Sequence, residues 1–241
     1  MLAEIFGVAP GDVVSITGAG GKTGLMFALA GELRRYKVLV TTTTKIYVPA
    51  AGFDRLCAGG PPEPAAGVCV AGGGVDGGNK LRPFGAETLG GLIKRFDITL
   101  IEADGARGKF LKCPAEHEPV IIPATTKTVA VLSLRLAGAV LGEENTHRAA
   151  RFAAVTGARV GGAITLEHIA NLVKSPAGTF KNAAGERILY INMVETESDL
   201  AAARDFAGLI GPEGVCGRIL AGSLRNNVFY SLEGGLCLSA R

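Results

Sequence analysis

Val13-Val14-Ser15-Ile16-Thr17-Gly18-Ala19-Gly20-Gly21-Lys22-Thr23-Gly24-Leu25-Met26-Phe27-Ala28-Leu29-Ala30 decides how the chain is read. The β-branched run predicts a strand over 13–17. Leu25, Met26, Leu29, Ala30 and Leu33 recur at helical spacing, with Glu32, Arg34 and Arg35 outward, which predicts a helix over 22–35. Between the two, glycines let successive backbone N–H groups turn toward one anion. The helix start adds its positive end, and Lys22, expected to face the surface, adds a point charge. Gly18, Ala19, Gly20, Gly21, Lys22 and Thr23 are therefore expected to hold nucleotide phosphates, with the Thr23 hydroxyl on a Mg²⁺. The plainer alternative, a glycine-rich turn before a buried helix, fits less well, because the flanking strand and helix are the context such a loop requires.

Further candidates fall at the ends of later strands. Val38-Leu39-Val40 reads as a parallel strand buried on both faces, joined to the first by a right-handed crossover. It ends in Thr41-Thr42-Thr43-Thr44-Lys45, at the carboxyl edge where open α/β sheets place ligands. Thr44 is expected at the substrate and Lys45 beside the attacking group, although threonine also favours strands for itself. Ile98-Thr99-Leu100-Ile101-Glu102-Ala103-Asp104-Gly105 is a hydrophobic strand ending in acids. Carboxylates at i and i+2 share a face, so Glu102 and Asp104 are expected at Mg²⁺, with Glu102 alternatively orienting the attacking group. The loop that follows carries Arg107, Lys109 and Lys112 for an anionic substrate or partner, then Glu116-His117-Glu118, in which His117 would titrate near neutrality. A solvated charged loop is its bland alternative.

Ile188 to Glu195 is a third strand-end site. Strand-Asn-x-x-acid is the skeleton of a guanine-recognition turn, with Met193 and Glu195 standing where lysine and aspartate would. Asn192 and Glu195 are expected to face the base, and ATP and GTP both stay open. Between these sites, 50–67 reads as loop, 68–71 as strand, 72–78 as a very flexible turn and 86–96 as helix. Beyond them come a strand over 128–134, a helix near 147–155 with His147 and Arg148 as a surface pair, and a helix capped by Thr165 with His168 outward. A helix capped by Ser198 and closing strands at 218–223 and 228–232 complete the expectation.

Composition narrows the class. The chain has 241 residues, 48% of them hydrophobic, enough for a sizeable core. Its 35 glycines are roughly twice the usual share and have no period, which assigns them to loops. A net charge of +3 without clustering, and no tryptophan, argue against nucleic acid as partner. No apolar run is long enough to span a bilayer, and Met1–Pro10 lacks a basic leader, so the expected location is the cytoplasm, away from membranes. Cys57, Cys69, Cys113, Cys216 and Cys237 form no C-x-x-C pair and read as small buried hydrophobes in a reducing compartment.

The loop is two residues shorter than the ordinary G-x-x-x-x-G-K-[ST] spacing, since its first glycine is Gly18. The form T-G-x-x-G-K-T resembles, locally, the ATP loop of the Mur ligases. The motifs I-T-G-A-G-G-K-T, V-T-T-T-T-K-I-Y, I-E-A-D-G-A-R-G-K and L-K-C-P-A-E-H-E-P-V-I-I-P, in this order, resemble the accessory proteins of selenium-dependent hydroxylases called YqeC, over 13 to about 195. The resemblance implies a nucleotide-binding factor for selenium cofactor assembly in molybdenum-containing hydroxylases. It carries over onto Gly18, Gly20, Gly21, Lys22, Thr23, Thr44, Lys45, Glu102, Asp104, Arg107, Lys112, His117, Glu118 and Pro119, and gives Cys113 no required role. The expected architecture is a single three-layer α/β/α P-loop NTPase-like domain over 1–241, mainly parallel, with insertions around 46–85 and 105–125. A nucleotide-gated cofactor-transfer protein and a Mur-ligase-like ligase or kinase are the alternatives.

Overall fold

The computed structural model describes residues 1–211 and 214–232. The chain starts with a one-turn helix α1 (Leu2–Ile5), strand β1 (Val13–Gly18), helix α2 (Lys22–Glu32) and strand β2 (Lys37–Thr42). The short β3 (Ile46–Tyr47), then β4 (Arg55–Ala58), β5 (Gly67–Gly72) and the short β6 (Lys80–Leu81) precede helix α3 (Ala86–Ile93). Next come β7 (Ile98–Glu102), the short β8 (Leu111–Lys112), β9 (Lys127–Ser133), the short β10 (Thr146–His147) and helices α4 (Ala149–Thr156) and α5 (Leu166–Lys174). Strand β11 (Glu186–Asn192), helix α6 (Glu197–Ile210) and strands β12 (Arg218–Ser223) and β13 (Val228–Ser231) follow.

Nine strands form one mixed sheet in the order β13-β12-β11-β9-β1-β7-β2-β5-β4. It is parallel apart from the β12–β13 pair. Its central strands are buried on both faces, as a parallel sheet covered by helices requires. Alternation along each strand sorts the core. Val14, Ile16, Val38, Val40, Ile98 and Leu100 pack with Leu25, Met26 and Leu29 of α2 on one side. Ala130, Leu132, Leu189 and Ile191 pack with α4, α5 and α6 on the other. Leu39, Cys69 and Ala71 meet α3 on that second side.

The chain moves from β1 out to β2 and on to the edge strand β4, returns through β5 and β7, and then crosses to β9 on the opposite flank of β1. Open α/β sheets hold ligands at the carboxyl ends of strands where such a reversal occurs.

Several expectations are corrected. Residues 55–58, expected as loop, form the edge strand β4, whose Arg55 and Leu56 register with Cys69 and Val70 of β5. Gly72 and Gly73 do not sit in a loose turn. A side chain on Gly72 would strike Leu81 and the Arg82 carbonyl, and Gly73 N donates to Arg82 O at 2.9 Å. Helix α6 is capped by Thr196, whose hydroxyl accepts from Asp199 N at 3.1 Å, so Ser198 lies inside the first turn. Thr165 does cap α5, but His168 is not idle, since its Nδ1 accepts from Thr165 N and completes the capping box. Cys69 and Cys113 are buried and Cys57 and Cys216 are half-buried, while Cys237 lies outside the described residues.

Candidate functional site

The site gathers at the carboxyl ends of β1, β7, β9 and β11. Gly18, Gly20 and Gly21 all take positive φ, at 91°, 85° and 123°, a region closed to most side chains. Gly18 also has no room for one, because an added carbon would collide with the Val131 carbonyl of β9. Ala19 N donates to that carbonyl at 2.9 Å and lays the loop over β9. Among the described residues, the N–H groups of Gly20, Gly21, Lys22 and Thr23 find no acceptor within the protein. Helix α2 has no side-chain cap at Gly21. Unpaired donors at an uncapped helix start make an anion cradle.

Lys22 overturns one expectation, being only 4% exposed rather than surface-facing. Its Nζ donates to Gly18 O at 2.8 Å and lies 3.1 Å from Asp104 Oδ1 and 3.7 Å from Glu102 Oε1. Asp104, at the end of β7, is buried as well. Its Oδ2 accepts from Gly18 N at 3.1 Å and from Lys112 Nζ at 2.9 Å, whereas Oδ1 has no aligned donor. Lys112 bridges onward to Glu118 Oε2 at 2.7 Å, and Arg148 grips both Glu118 oxygens at 2.8 and 3.1 Å. Glu102, Lys22, Asp104, Lys112, Glu118 and Arg148 thus form a chain of alternating charge from the loop to the start of α4. Each buried charge has an opposite neighbour, without which burial would cost several kcal/mol.

The electrostatics follow from this geometry. Burial raises the Glu118 pKa, but the bonds and charges of Arg148 and Lys112 outweigh it and hold the carboxyl at about 2. Burial pushes Glu102 up from its ordinary value, against the pull of Lys22 and the hydroxyl of Thr23, which donates to Glu102 Oε2 at 2.8 Å. Burial and then the Arg148, Lys112 and Arg107 charges lower the pKa of His147.

The expected residues therefore divide. Gly18 to Thr23, Glu102, Asp104, Lys112 and Glu118 meet in one network, but Lys112 is buried between carboxylates instead of facing a ligand. His117 is 79% exposed and meets the network only at its edge, with Nε2 4.0 Å from Glu118 Oε1. Lys45 pairs with Asp76 at 3.0 Å, and Thr44 N donates to Thr42 Oγ1 at 3.0 Å. Asn192 differs from a base reader: its Nδ2 donates to Gly20 O at 2.8 Å and its Oδ1 accepts from Tyr190 Oη at 3.0 Å, so it props the loop from β11. Glu195 pairs with Arg135 at 2.7 Å. The sequence reading missed Arg148, expected as half of a surface pair with His147. The short β8–β10 ladder sets Lys112 beside His147, which is itself buried. A two-residue ladder leaves no periodic signal.

An open cleft of about 860 Å³ lies over the loop. Gly20 to Gly24 form one wall, Lys45, Tyr47 and Lys80 another, and Gly105 to Phe110 a third, with Glu102 at its floor.

Fold and site define a mixed α/β protein with a glycine cradle at the reversal point of a mostly parallel sheet. Its relatives give the family: residues 14–150 match the family described as YqeC protein, and the chain belongs to that family. It is 36% identical over 193 residues to the Escherichia coli (strain K12) protein titled "Uncharacterized protein YqeC", covering 75% of each chain. No solved structure matches. The matched region takes in the whole charge chain from Lys22 to Arg148, whereas Asn192 lies beyond it.

Proposed function

We propose that the chain is a Mg²⁺-dependent nucleotide-binding protein of P-loop NTPase-like fold that serves in selenium cofactor assembly for molybdenum hydroxylases. The observation that carries nucleotide binding is the row of unpaired N–H groups from Gly20 to Thr23 at the uncapped start of α2, with Lys22 beneath. The selenium setting rests on the resemblance of the four motifs to the accessory family.

Mg²⁺ fits the chemistry of Thr23 and Glu102. Their oxygens are joined at 2.8 Å beside the cradle, and among the described residues no cluster of three or more His, Cys, Asp or Glu would hold a metal alone. That is the arrangement for an ion shared with substrate phosphates. Asp104 is committed to two lysines, which favours Glu102 over Asp104 as the carboxylate partner. The ion would neutralise phosphate charge. Lys22 would swing from Gly18 O and Asp104 toward the phosphates, while Lys112 keeps Asp104 compensated.

The charge chain from Lys22 to Arg148 also suits a second reading, a nucleotide-gated transfer protein, because drawing Lys22 toward phosphates would alter a network that reaches α4. The ligase or kinase alternative is supported only by the short loop. Hydrolysis that appears only with a client hydroxylase present supports the gate, and phosphorylation or adenylation of a small molecule supports an enzyme.

The decisive experiment is a calorimetric titration of Mg²⁺–ATP and Mg²⁺–GTP. Lys22→Ala should bind the preferred nucleotide about 10- to 100-fold more weakly, the worth of a charge-assisted contact. Unchanged affinity in a folded Lys22→Ala variant would sink the proposal.

A further inference from the structure

The cleft above the cradle is lined by three cations that no carboxylate among the described residues matches. Of its cationic residues, Lys22 is matched by Asp104 and Glu102, and Lys45 by Asp76. Lys80, Arg107 and Lys109 also line it, and among the described residues no carboxylate pairs with any of them. Glu102 is the one carboxylate among the lining residues, and it is engaged by Thr23.

These three cations are placed rather than scattered. Lys80 faces Tyr47 across the short β3–β6 ladder, and its ammonium sits 4.7 Å from the centre of the exposed Tyr47 ring. That contact steadies a long side chain at the mouth of the cleft. Lys109 Nζ is fixed at 2.6 Å from Glu144 O, a carbonyl that leaves its charge uncompensated. Arg107 has φ of 51°, in the left-handed region where a non-glycine residue is strained. Arg107 is exposed and lines the cleft wall between Ala106 and Gly108.

A triphosphate seated with Mg²⁺ is already met by Lys22 and the loop amides. We infer that Lys80, Arg107 and Lys109 form a binding site for a second anionic ligand, a phosphate- or pyrophosphate-bearing small molecule held together with the nucleotide. The inference rests on the nucleotide reading of the same cleft and adds the class of the second substrate.

The test uses the full chain with a non-hydrolysable ATP analogue and Mg²⁺ at saturation, titrated with inorganic pyrophosphate by calorimetry. The nucleotide-loaded protein should bind pyrophosphate, and Lys80→Gln/Arg107→Gln/Lys109→Gln should lose about tenfold or more in that affinity. Pyrophosphate that binds only by displacing the nucleotide overturns the inference. So does a triple variant whose nucleotide affinity falls in the same proportion, since the rim would then clamp the nucleotide itself. If the wild type binds no nucleotide, the nucleotide reading fails. Pyrophosphate binding that still depends on the three cations would then keep the anion site standing.

Discussion

Lys22 and Asn192 both touch the loop between β1 and α2, and each does something the residue type alone does not reveal. The Lys22 ammonium, expected at the surface, is held among Gly18 O, Asp104 and Glu102. An ion taken out of water needs opposite charge close by, so its position depends on acids some eighty residues further along the chain. Asn192 has the residue type of a base reader, yet its amide spans Tyr190 and the Gly20 carbonyl. Its loss would loosen the cradle without favouring one base over another. Asn192→Ala should therefore weaken Mg²⁺–ATP and Mg²⁺–GTP binding by similar factors, as read by competition titration. A change confined to one nucleotide would return Asn192 to the base.

At the scale of elements, long periodic segments were legible and short or edge ones were not. Strands β1, β2, β7, β9 and β11 are dominated by β-branched and apolar residues, and burial on both faces is what such runs specify. Strand β4 lacks a β-branched residue and acquires its conformation from pairing with β5. The β3–β6 and β8–β10 ladders are two residues a side, too short for any period. Cap identity is a similar matter of fine placement. Thr196 and Asp199 exchange side-chain and backbone bonds at the start of α6, so Thr196→Ala should cost about 1 kcal/mol. Ser198→Ala should fall within about 0.5 kcal/mol of wild type, as a surface change does. Urea denaturation of both variants gives the comparison, and a larger loss for Ser198→Ala would reverse the assignment.

Across the molecule, the charge chain ties the loop after β1 to the 105–118 segment and to α4, and it makes stability respond to acid. Glu118 titrates at about 2 in the fold against an ordinary 4.5, so its contribution is complete above about 4.5 and is lost as pH falls toward 2. His147, held below its ordinary 6.5, acts in the same direction, because the unfolded chain takes up its proton first as pH falls. Glu102, raised above 4.5, acts oppositely: its protonation on acidification relieves a buried charge. The free energy of urea unfolding should decline between pH 4.5 and pH 2, and less steeply in Glu118→Gln. Superimposable slopes would remove Glu118 from the acid response. No helix among the described residues is long and apolar enough to cross a membrane.

Local chemistry specified the loop, the strands that meet it and the acids at the end of β7. Glycine conformations, β-branched runs and helical spacing act over a few residues and need no partner to be read. Tertiary structure alone decided which charges neutralise one another. Arg148 grips Glu118 from 30 residues away, and Lys112 turns inward between Asp104 and Glu118. The division between buried network and open rim was settled the same way: folding leaves Lys80, Arg107 and Lys109 lining the cleft with no carboxylate partner among the described residues and buries Lys22 and Lys112 among acids. Lysine is the same residue at a rim and in a core until the fold brings a carboxylate within reach and takes the water away.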